Sequence, residues 1–178
     1  NVFQFDGLLV RRLHIYVDPD FTNADQGRLA ALRGEVAPPD APLSVAERYV
    51  TVVGRYHEQP DETRLQAIAE LFSEDAEWDI PGDARRVSWV GQRKGRERIA
   101  SFFRELREGI EPIQFEIRSL SANKDTAVAL GWLASRVKST GRLIESEFAI
   151  ALTVENGLIT RYKLHEDSFA VSQACGRV

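Results

Sequence analysis

Two side chains near the C-terminus could take part in proton chemistry. The alternating pattern of residues 158–166 places Tyr162 and Glu166 on one face of a predicted β-strand. A carboxylate held in an apolar pocket has a raised pKa, so it can accept or donate a proton near neutral pH. Tyr56, on a predicted helix, is a third polar group expected at the same interior. Together these side chains predict a pocket for a hydrophobic molecule with one or two polar groups.

The side chains expected around these polar groups are aromatic or aliphatic. Strand parity places alternate residues of the preceding strand, from Ile144 to Leu152, on the same face. A short strand that ends at Pro81 adds two more side chains. The predicted lining is Trp78, Ile80, Trp89, Phe103, Trp132, Phe148, Ile150, Tyr162 and Leu164. The alternative is a filled hydrophobic core, since inward aromatic side chains mostly serve packing.

The remaining residue types do not indicate metal or cofactor chemistry. The histidines His14, His57 and His165 have no ligand spacing, so no metal site is predicted. The single cysteine, Cys175, excludes an intrachain disulfide and a thiolate cluster. The Gly91-x-x-x-Gly95 segment lacks the Gly-Lys-Ser/Thr ending of a phosphate loop. We therefore expect no cofactor.

Composition and charge exclude several classes of protein. The chain has 178 residues, 43% of them hydrophobic and 28% charged, with a formal net charge of −4. These values are typical of a globular domain. Lys and Arg occur in runs of two at most, so no nucleic-acid surface is predicted. Neither a membrane-spanning segment nor a signal peptide is recognisable, and we expect a soluble cytoplasmic protein.

Three amphipathic helices are predicted in the first half of the main domain. The first opens with Ser44 to Glu47, which has the pattern of a capping box. Asp61 can cap the second, in which apolar residues recur at helical spacing from Leu65 to Phe72. The third begins at about Gly95, and a short strand over 76–80 lies between the second and the third.

The hydrophobic period changes to two after Pro112, which indicates β-strands. Ile113, Phe115 and Ile117 are predicted on one face of the first strand. The pair Asn156-Gly157 is a strong hairpin signal because both residues tolerate positive φ. Three helices, a short strand and a four-strand meander predict an α+β fold. A strongly bent antiparallel sheet wrapped around the helices would bury both layers.

The N-terminal part of the chain differs from the rest. Residues 28–43 end in a proline-rich stretch and are predicted to form a linker. Residues 1–27 contain a segment, 7–14, that can be laid on residues 157–164. We interpret 1–27 as the closing hairpin of an upstream copy of the same fold, in which His14 would line the pocket. The alternative is a chance resemblance between two amphipathic strands.

Five motifs occur in the order and spacing of a known superfamily, at residues 67–78, 91–103, 145–148, 156–157 and 166–171. They make residues 44–174 resemble the nuclear transport factor 2-like superfamily, in its ketosteroid-isomerase-related and SnoaL-like polyketide cyclase branch. The resemblance implies a cone-shaped half-barrel with a pocket inside the cone. It also implies a homodimer formed through the open face of the sheet.

The resemblance implies catalytic positions as well, and several of them are aliphatic in this chain. The base of ketosteroid isomerase falls at Ile80, its oxyanion-stabilising acid at Ile150, and the last-strand aspartate of SnoaL-like cyclases at Leu164. The helix-one tyrosine has a counterpart in Tyr56. A one-residue slip would restore an acid such as Asp79, but a slip turns a side chain to the other face of its strand.

Two functions stay open at this point. The first is a domain, residues 44–178, that binds a small hydrophobic ligand and forms one half of a tandem or dimer. The alternative is an isomerase, cyclase or epoxide hydrolase that acts by general acid/base catalysis on a polyketide- or steroid-like substrate. In that enzyme Tyr56, Asp79 and Glu166 are the catalytic candidates, or His14 if an upstream copy is the active one. This second function rests on analogy of fold, which is a weaker warrant than a site.

Overall fold

The computed structural model of the chain describes residues 2–6, 9–14 and 37–176, and two compact units divide at Val36. In the first unit, strands β1 (Val2–Asp6) and β2 (Leu9–His14) pair antiparallel. The side chains of this hairpin, including His14, lie outside the described part of the structure. Its interpretation as the end of an upstream copy, and the predicted domain limits, stay predictions.

The second unit begins with two helices, α1 (Pro42–Glu58) and α2 (Glu62–Ala69). Helix α1 begins at Pro42 and has no side-chain cap, so the predicted capping box at Ser44 is wrong. Proline suits the first helical turn because its missing N–H has no partner there. The predicted cap of α2 is confirmed, since Oδ1 of Asp61 accepts a hydrogen bond from the backbone N–H of Arg64 at 2.7 Å. No helix among the described residues is long and apolar enough to cross a membrane.

The strands of the second unit form one six-stranded open sheet. In chain order its strands and the remaining helices are β3 (Phe72–Ile80), β4 (Gly91–Lys94), α3 (Arg96–Gly109), β5 (Ile110–Ala122), β6 (Thr126–Val137), β7 (Leu143–Glu155), β8 (Leu158–His165) and α4 (Ser168–Cys175). The strand order is β4-β3-β8-β7-β6-β5, and neighbours are antiparallel except β3 and β8, which are parallel. The predicted α+β class is confirmed. Strand β3 is longer than predicted, and β4 and α4 were not predicted.

The meander from β5 to β8 confirms the predicted strand parity. Ile144, Phe148 and Ile150 of β7 are buried, whereas Glu145 and Glu147 between them are exposed. We call the side that carries Ile144, Phe148 and Ile150 the inner face of the sheet and the opposite side the outer face. Asn156 and Gly157 have φ of 51° and 77° and form the predicted hairpin turn between β7 and β8.

A β-bulge changes the parity of β5 near its start. The register with β6 shifts between Pro112 and Gln114, so the alternation of the two faces is interrupted at this point. Ile113, predicted to share a face with Phe115 and Ile117, is 53% exposed for this reason. Phe115, beyond the bulge, returns to the inner face opposite Leu133. The alternating sequence pattern holds only where strand pairing is regular.

Candidate functional site

A cavity of about 90 Å³ lies between the inner face of the sheet and the helices. The polar side chains at its wall are Tyr49 and His57 from α1, Gln114 from β5, Ser135 from β6, Tyr162 from β8, and Glu166 just beyond β8. The rest of the wall is apolar: Val53, Ile80, Trp89, Phe102, Phe103, Leu106, Ile110, Pro112, Phe115, Leu133, Ile144, Ile150, Leu164 and Val171. Residues from several helices and strands line the cavity because α1, α3 and α4 each pack against strands of the sheet.

Much of the predicted lining meets at this cavity. The three aliphatic positions Ile80, Ile150 and Leu164 all line it, and Ile150 and Leu164 are register partners on β7 and β8. The other predicted residues at the wall are Trp89, Phe103, Tyr162 and Glu166. The interior is therefore apolar where the resemblance implies proton-handling groups.

Three predicted lining residues lie elsewhere. Trp78 is fully buried behind Tyr162, with the two rings parallel. Phe148 lies behind Phe115, and their stacked rings have centroids 5.0 Å apart. Trp132 is on the outer face of β6, because its register partner is the exposed Glu147. The prediction that Trp132 lines the pocket is therefore wrong. The even-numbered residues of β6 lie on the outer face of the sheet.

The other catalytic candidates lie away from the cavity. Tyr56 is buried against Phe103, with ring centroids 5.8 Å apart, and burial raises the pKa of its hydroxyl. Asp79 is on the outer face of β3 and forms an ion pair with Lys163 at 3.3 Å. The outward direction of Asp79 follows from parity, because its neighbours Trp78 and Ile80 are buried.

Four polar wall residues, Tyr49, His57, Gln114 and Ser135, were not predicted. Tyr49 lies seven residues before Tyr56, so both are on one face of α1, and the helical period does not tell which of them reaches the cavity. His57 follows Tyr56 and was considered only as a metal ligand. Ser135 could have been predicted from the alternation of β6, because Ser135 and Leu133 are two residues apart and lie on the same face of the strand.

The carboxyl group of Glu166 has an unusual environment for an acid. Burial raises its pKa to about 7, and the neighbouring charge of Asp167 adds to the effect. The turn that carries Glu166 is fixed from two sides. Oγ of Ser146, on β7, accepts a hydrogen bond from the backbone N–H of Asp167 at 2.9 Å. The Asp167 side chain in turn caps α4 by accepting from the backbone N–H of Ala170 at 2.9 Å.

Two phenol groups form the polar part of the wall next to Glu166. The rings of Tyr49 and Tyr162 have centroids 5.7 Å apart. Burial raises the pKa of both hydroxyls, and the interaction with the Tyr162 side chain opposes the rise in the pKa of Tyr49. Interactions with Tyr49 and Glu166 raise the pKa of Tyr162 further. Both phenols therefore stay protonated at neutral pH and can donate hydrogen bonds.

The loop before β4 supplies one aromatic side of the cavity. Nη1 of Arg93 donates to the backbone carbonyl of Trp89 at 3.0 Å, and the same guanidinium forms an ion pair with Glu105 at 2.6 Å. The indole ring of Trp89 lies directly against Gly109 at the end of α3. A methyl group at position 109 would overlap that ring, so the glycine permits the close approach.

The wall residues can carry out proton transfer and hydrogen bonding. Glu166 can act as an acid or a base near neutral pH, and the phenols of Tyr49 and Tyr162 are donors. Within residues 37–176, no three His, Cys, Asp or Glu side chains come together in a way that would hold a metal ion.

An open sheet with helices on its inner face, around a small and largely apolar cavity, defines an α+β domain with an internal cavity. The chain belongs to the family described as the SnoaL-like domain, whose model matches residues 46–162. The predicted superfamily is thereby confirmed. Comparison with functionally curated proteins gives no match.

Solved structures share the fold at low sequence identity. An NTF2-like protein from Burkholderia xenovorans is 23% identical, with a TM-score of 0.66 over 76% of this chain and 95% of its own. An NTF2-like protein from Burkholderia thailandensis is 20% identical, with a TM-score of 0.66 over 77% and 98%. A protein with a ketosteroid isomerase-like fold from Catenulispora acidiphila, in complex with trimethylamine, is 16% identical, with a TM-score of 0.56 over 71% and 93%. These likenesses show the fold alone.

Proposed function

We propose that the domain binds a small, largely apolar molecule in the cavity between its sheet and its helices. The observation that carries this proposal is the wall itself, in which apolar side chains surround a few polar groups. Such walls are typical of ligand sites, because apolar area supplies affinity and a few polar groups fix orientation.

The volume of the cavity indicates the size of the ligand. About 90 Å³ is well below the roughly 300–1,000 Å³ of sites for drug-sized molecules. It favours a molecule of about one ring over a steroid or a polycyclic polyketide.

Thermal unfolding with small probes tests the binding proposal. Single-ring phenols, single-ring ketones and short amines should include compounds that raise Tm, since a ligand at 100 times its Kd stabilises the native state by about 2.7 kcal/mol. Leu164→Trp fills the cavity and should abolish the rise. Leu130→Trp is the matched control, because Leu130 is on the outer face and 47% exposed. A Tm that no probe changes, or a rise that survives Leu164→Trp, would contradict the proposal.

A second candidate function is proton transfer by Glu166. It is favoured by one observation, the raised pKa of about 7 for a carboxyl group at an apolar wall beside a protonated phenol. The carboxylate could remove a proton from a carbon next to a substrate carbonyl and return it to another carbon. The Tyr162 hydroxyl could donate a hydrogen bond to the oxyanion that forms in between.

Isomerisation of cyclohex-3-enone tests the second candidate with a single-ring substrate. Glu166 would take a proton from the carbon between the carbonyl and the double bond and return it to the far alkene carbon, which gives cyclohex-2-enone. The rate, followed by ultraviolet absorbance, should rise with pH through about 7 as Glu166 ionises. Glu166→Gln should reduce it at least tenfold. A pH-independent rate, or equal rates in the variant, would exclude Glu166 as the base.

The outer face of the sheet is the surface for the proposed homodimer. Leu130 is 47% exposed there, and Trp132 next to Glu147 adds an aromatic surface. A second copy that covers this face would remove apolar area from water. Sedimentation velocity should give a dimer for the wild-type chain and a monomer for Leu130→Glu. A wild-type monomer at high concentration would exclude the dimer.

A further inference from the structure

His57 is a partly buried polar group that the proposed function does not use. It lies in the last turn of α1, and its side chain is part of the cavity wall. Its Nδ1 atom is buried and has no hydrogen-bond partner among the described residues. A buried polar atom without a partner costs about 1–3 kcal/mol, so its retention calls for an explanation.

Aromatic rings hold the imidazole of His57 in place. The Phe115 ring lies 5.6 Å away between centroids and stacks in turn on Phe148, at 5.0 Å. Tyr56 lies edge-on at 6.3 Å. The orientation of His57 therefore comes from packing and leaves its ring nitrogens free for another partner. A side chain fixed by packing, with a free polar atom, is suited to hold a ligand group in one position.

The imidazole of His57 is neutral at physiological pH. Burial lowers its pKa to about 4, and the positive charge of Arg107 lowers it further. A neutral imidazole has one N–H donor and one acceptor nitrogen. The neighbouring Arg107 disfavours a cationic ligand group here, so an uncharged hydroxyl or carbonyl group fits best.

We propose that His57 is the second polar anchor of the cavity, where its imidazole forms a hydrogen bond with a hydroxyl or carbonyl group of the ligand. The first anchor is the group of Tyr49, Tyr162 and Glu166, which comes from a different set of elements. The ligand is then an uncharged molecule of about one ring with a polar group at each of two positions. This inference rests on the proposed binding function and specifies its ligand class.

Two probes of nearly equal shape test the assignment: 4-methylphenol, with one hydroxyl, and hydroquinone, in which a second hydroxyl replaces the methyl group. Calorimetric titration in degassed buffer should give about two- to tenfold tighter binding of hydroquinone to the wild-type protein, as expected for one added hydrogen bond. In His57→Phe the preference should disappear, and the ratio of the two affinities reports this loss because any change in the cavity wall affects both probes. In addition, the ¹⁵N resonances of His57 should shift on binding hydroquinone.

Controls separate the anchor from general effects on α1. Tyr56→Phe removes a hydroxyl from the neighbouring residue, which is outside the cavity wall, and should keep the wild-type preference. Equal affinity of the wild-type protein for both probes, or an unchanged preference in His57→Phe, overturns the role of His57 and leaves the binding proposal intact. Failure of both probes to bind wild-type protein while other single-ring probes raise Tm also overturns the anchor. If no probe of any kind binds, the binding proposal itself fails.

Discussion

The indole ring of Trp78 lies parallel to the phenol ring of Tyr162, with centroids 3.6 Å apart and an interplanar angle of 4°. The two residues are register partners on the parallel strands β3 and β8. Only Tyr162 reaches the cavity, so Trp78 forms a second layer that fixes the position of the phenol. In the proposed site, the indole therefore contributes packing and the phenol contributes a hydroxyl group.

Replacement of Trp78 tests the supporting role. Trp78→Leu removes the stacked ring from a fully buried site and leaves a cavity behind Tyr162. We expect the free energy of unfolding to fall by about 2–4 kcal/mol. The loss is partly offset because the variant also removes the buried indole Nε1, which has no hydrogen-bond partner among the described residues. Urea unfolding measures the change. A loss below about 1 kcal/mol would show that the ring does not support the wall.

Replacement of Tyr162 tests the hydroxyl alone. Tyr162→Phe keeps the ring that stacks on Trp78, so the free energy of unfolding should change by less than about 1 kcal/mol. The variant loses the hydroxyl that would donate to the ligand, and hydroquinone should bind two- to tenfold more weakly. Calorimetric titration beside urea unfolding distinguishes the two effects. Unchanged affinity would place the first anchor elsewhere.

The raised pKa of Glu166 predicts a stability that depends on pH. The pKa rises from 4.5 in the unfolded chain to about 7 in the folded one, so the folded state holds an extra proton between these values. The associated stabilisation is complete below pH 4.5 and is lost as pH rises through about 7. The change in the free energy of unfolding caused by Glu166→Gln should therefore be more favourable at pH 8 than at pH 4, by roughly 2–3 kcal/mol.

Urea unfolding of both proteins at several pH values provides the measurement for Glu166→Gln. His57 changes stability in the opposite direction, because its lowered pKa of about 4 makes the folded protein lose stability as pH falls from 6.5. Since His57 is present in both proteins, its contribution cancels in the difference between them. A difference that does not vary with pH would mean that Glu166 titrates normally.

The sequence predicted the apolar half of the cavity better than its polar half. Ile80, Ile150 and Leu164 were found because strand parity depends only on a period of two, and their strands pair regularly near these positions. Trp132 was misplaced because β6 had no register in the sequence analysis, and one residue of shift exchanges the faces. Ile113 was misplaced by a bulge, which no alternation pattern reveals.

Helical residues at the wall were harder to predict for a different reason. The face of α1 that packs on the sheet includes both Tyr49 and Tyr56, and only the tertiary packing decides which of them reaches the cavity. His57 lies at the border of that face, and the helical period alone would predict it to be a surface residue. The unpartnered Nδ1 that marks it as an anchor is a property of the packed structure.

The contact between Gly109 and Trp89 predicts a sensitive position far from the polar groups. Gly109→Ala would force the indole away from the end of α3, and overpacking of this kind costs about 1–3 kcal/mol. Trp89→Leu removes the ring that the new methyl group would meet. We therefore expect the double variant to be more stable than the sum of the single effects predicts, as measured by urea unfolding in a double-mutant cycle. Strict additivity would contradict the contact.

The hydrogen bond from the Asp167 backbone to Ser146 predicts that a substitution at Ser146 changes the pKa of Glu166. Ser146→Ala removes the acceptor that holds the turn after β8, and we expect a loss of about 1–2 kcal/mol in the free energy of unfolding. A looser turn lets water reach the Glu166 carboxyl, so its pKa should fall from about 7 toward 4.5. A ¹³C NMR titration of labelled glutamate carboxyl groups, assigned with Glu166→Gln, measures this pKa.

A second serine serves as the control for this experiment. Ser101 donates a hydrogen bond within α3, to the backbone carbonyl of Glu97 at 3.1 Å, and Ser101→Ala should leave the Glu166 titration unchanged. Both variants remove one serine hydroxyl. A difference between their Glu166 titrations therefore comes from the position of the lost hydroxyl and not from the loss of a hydroxyl as such. If Ser146→Ala destabilises the protein while the Glu166 pKa stays near 7, burial by the cavity wall alone sets that pKa, and the turn has only a structural role.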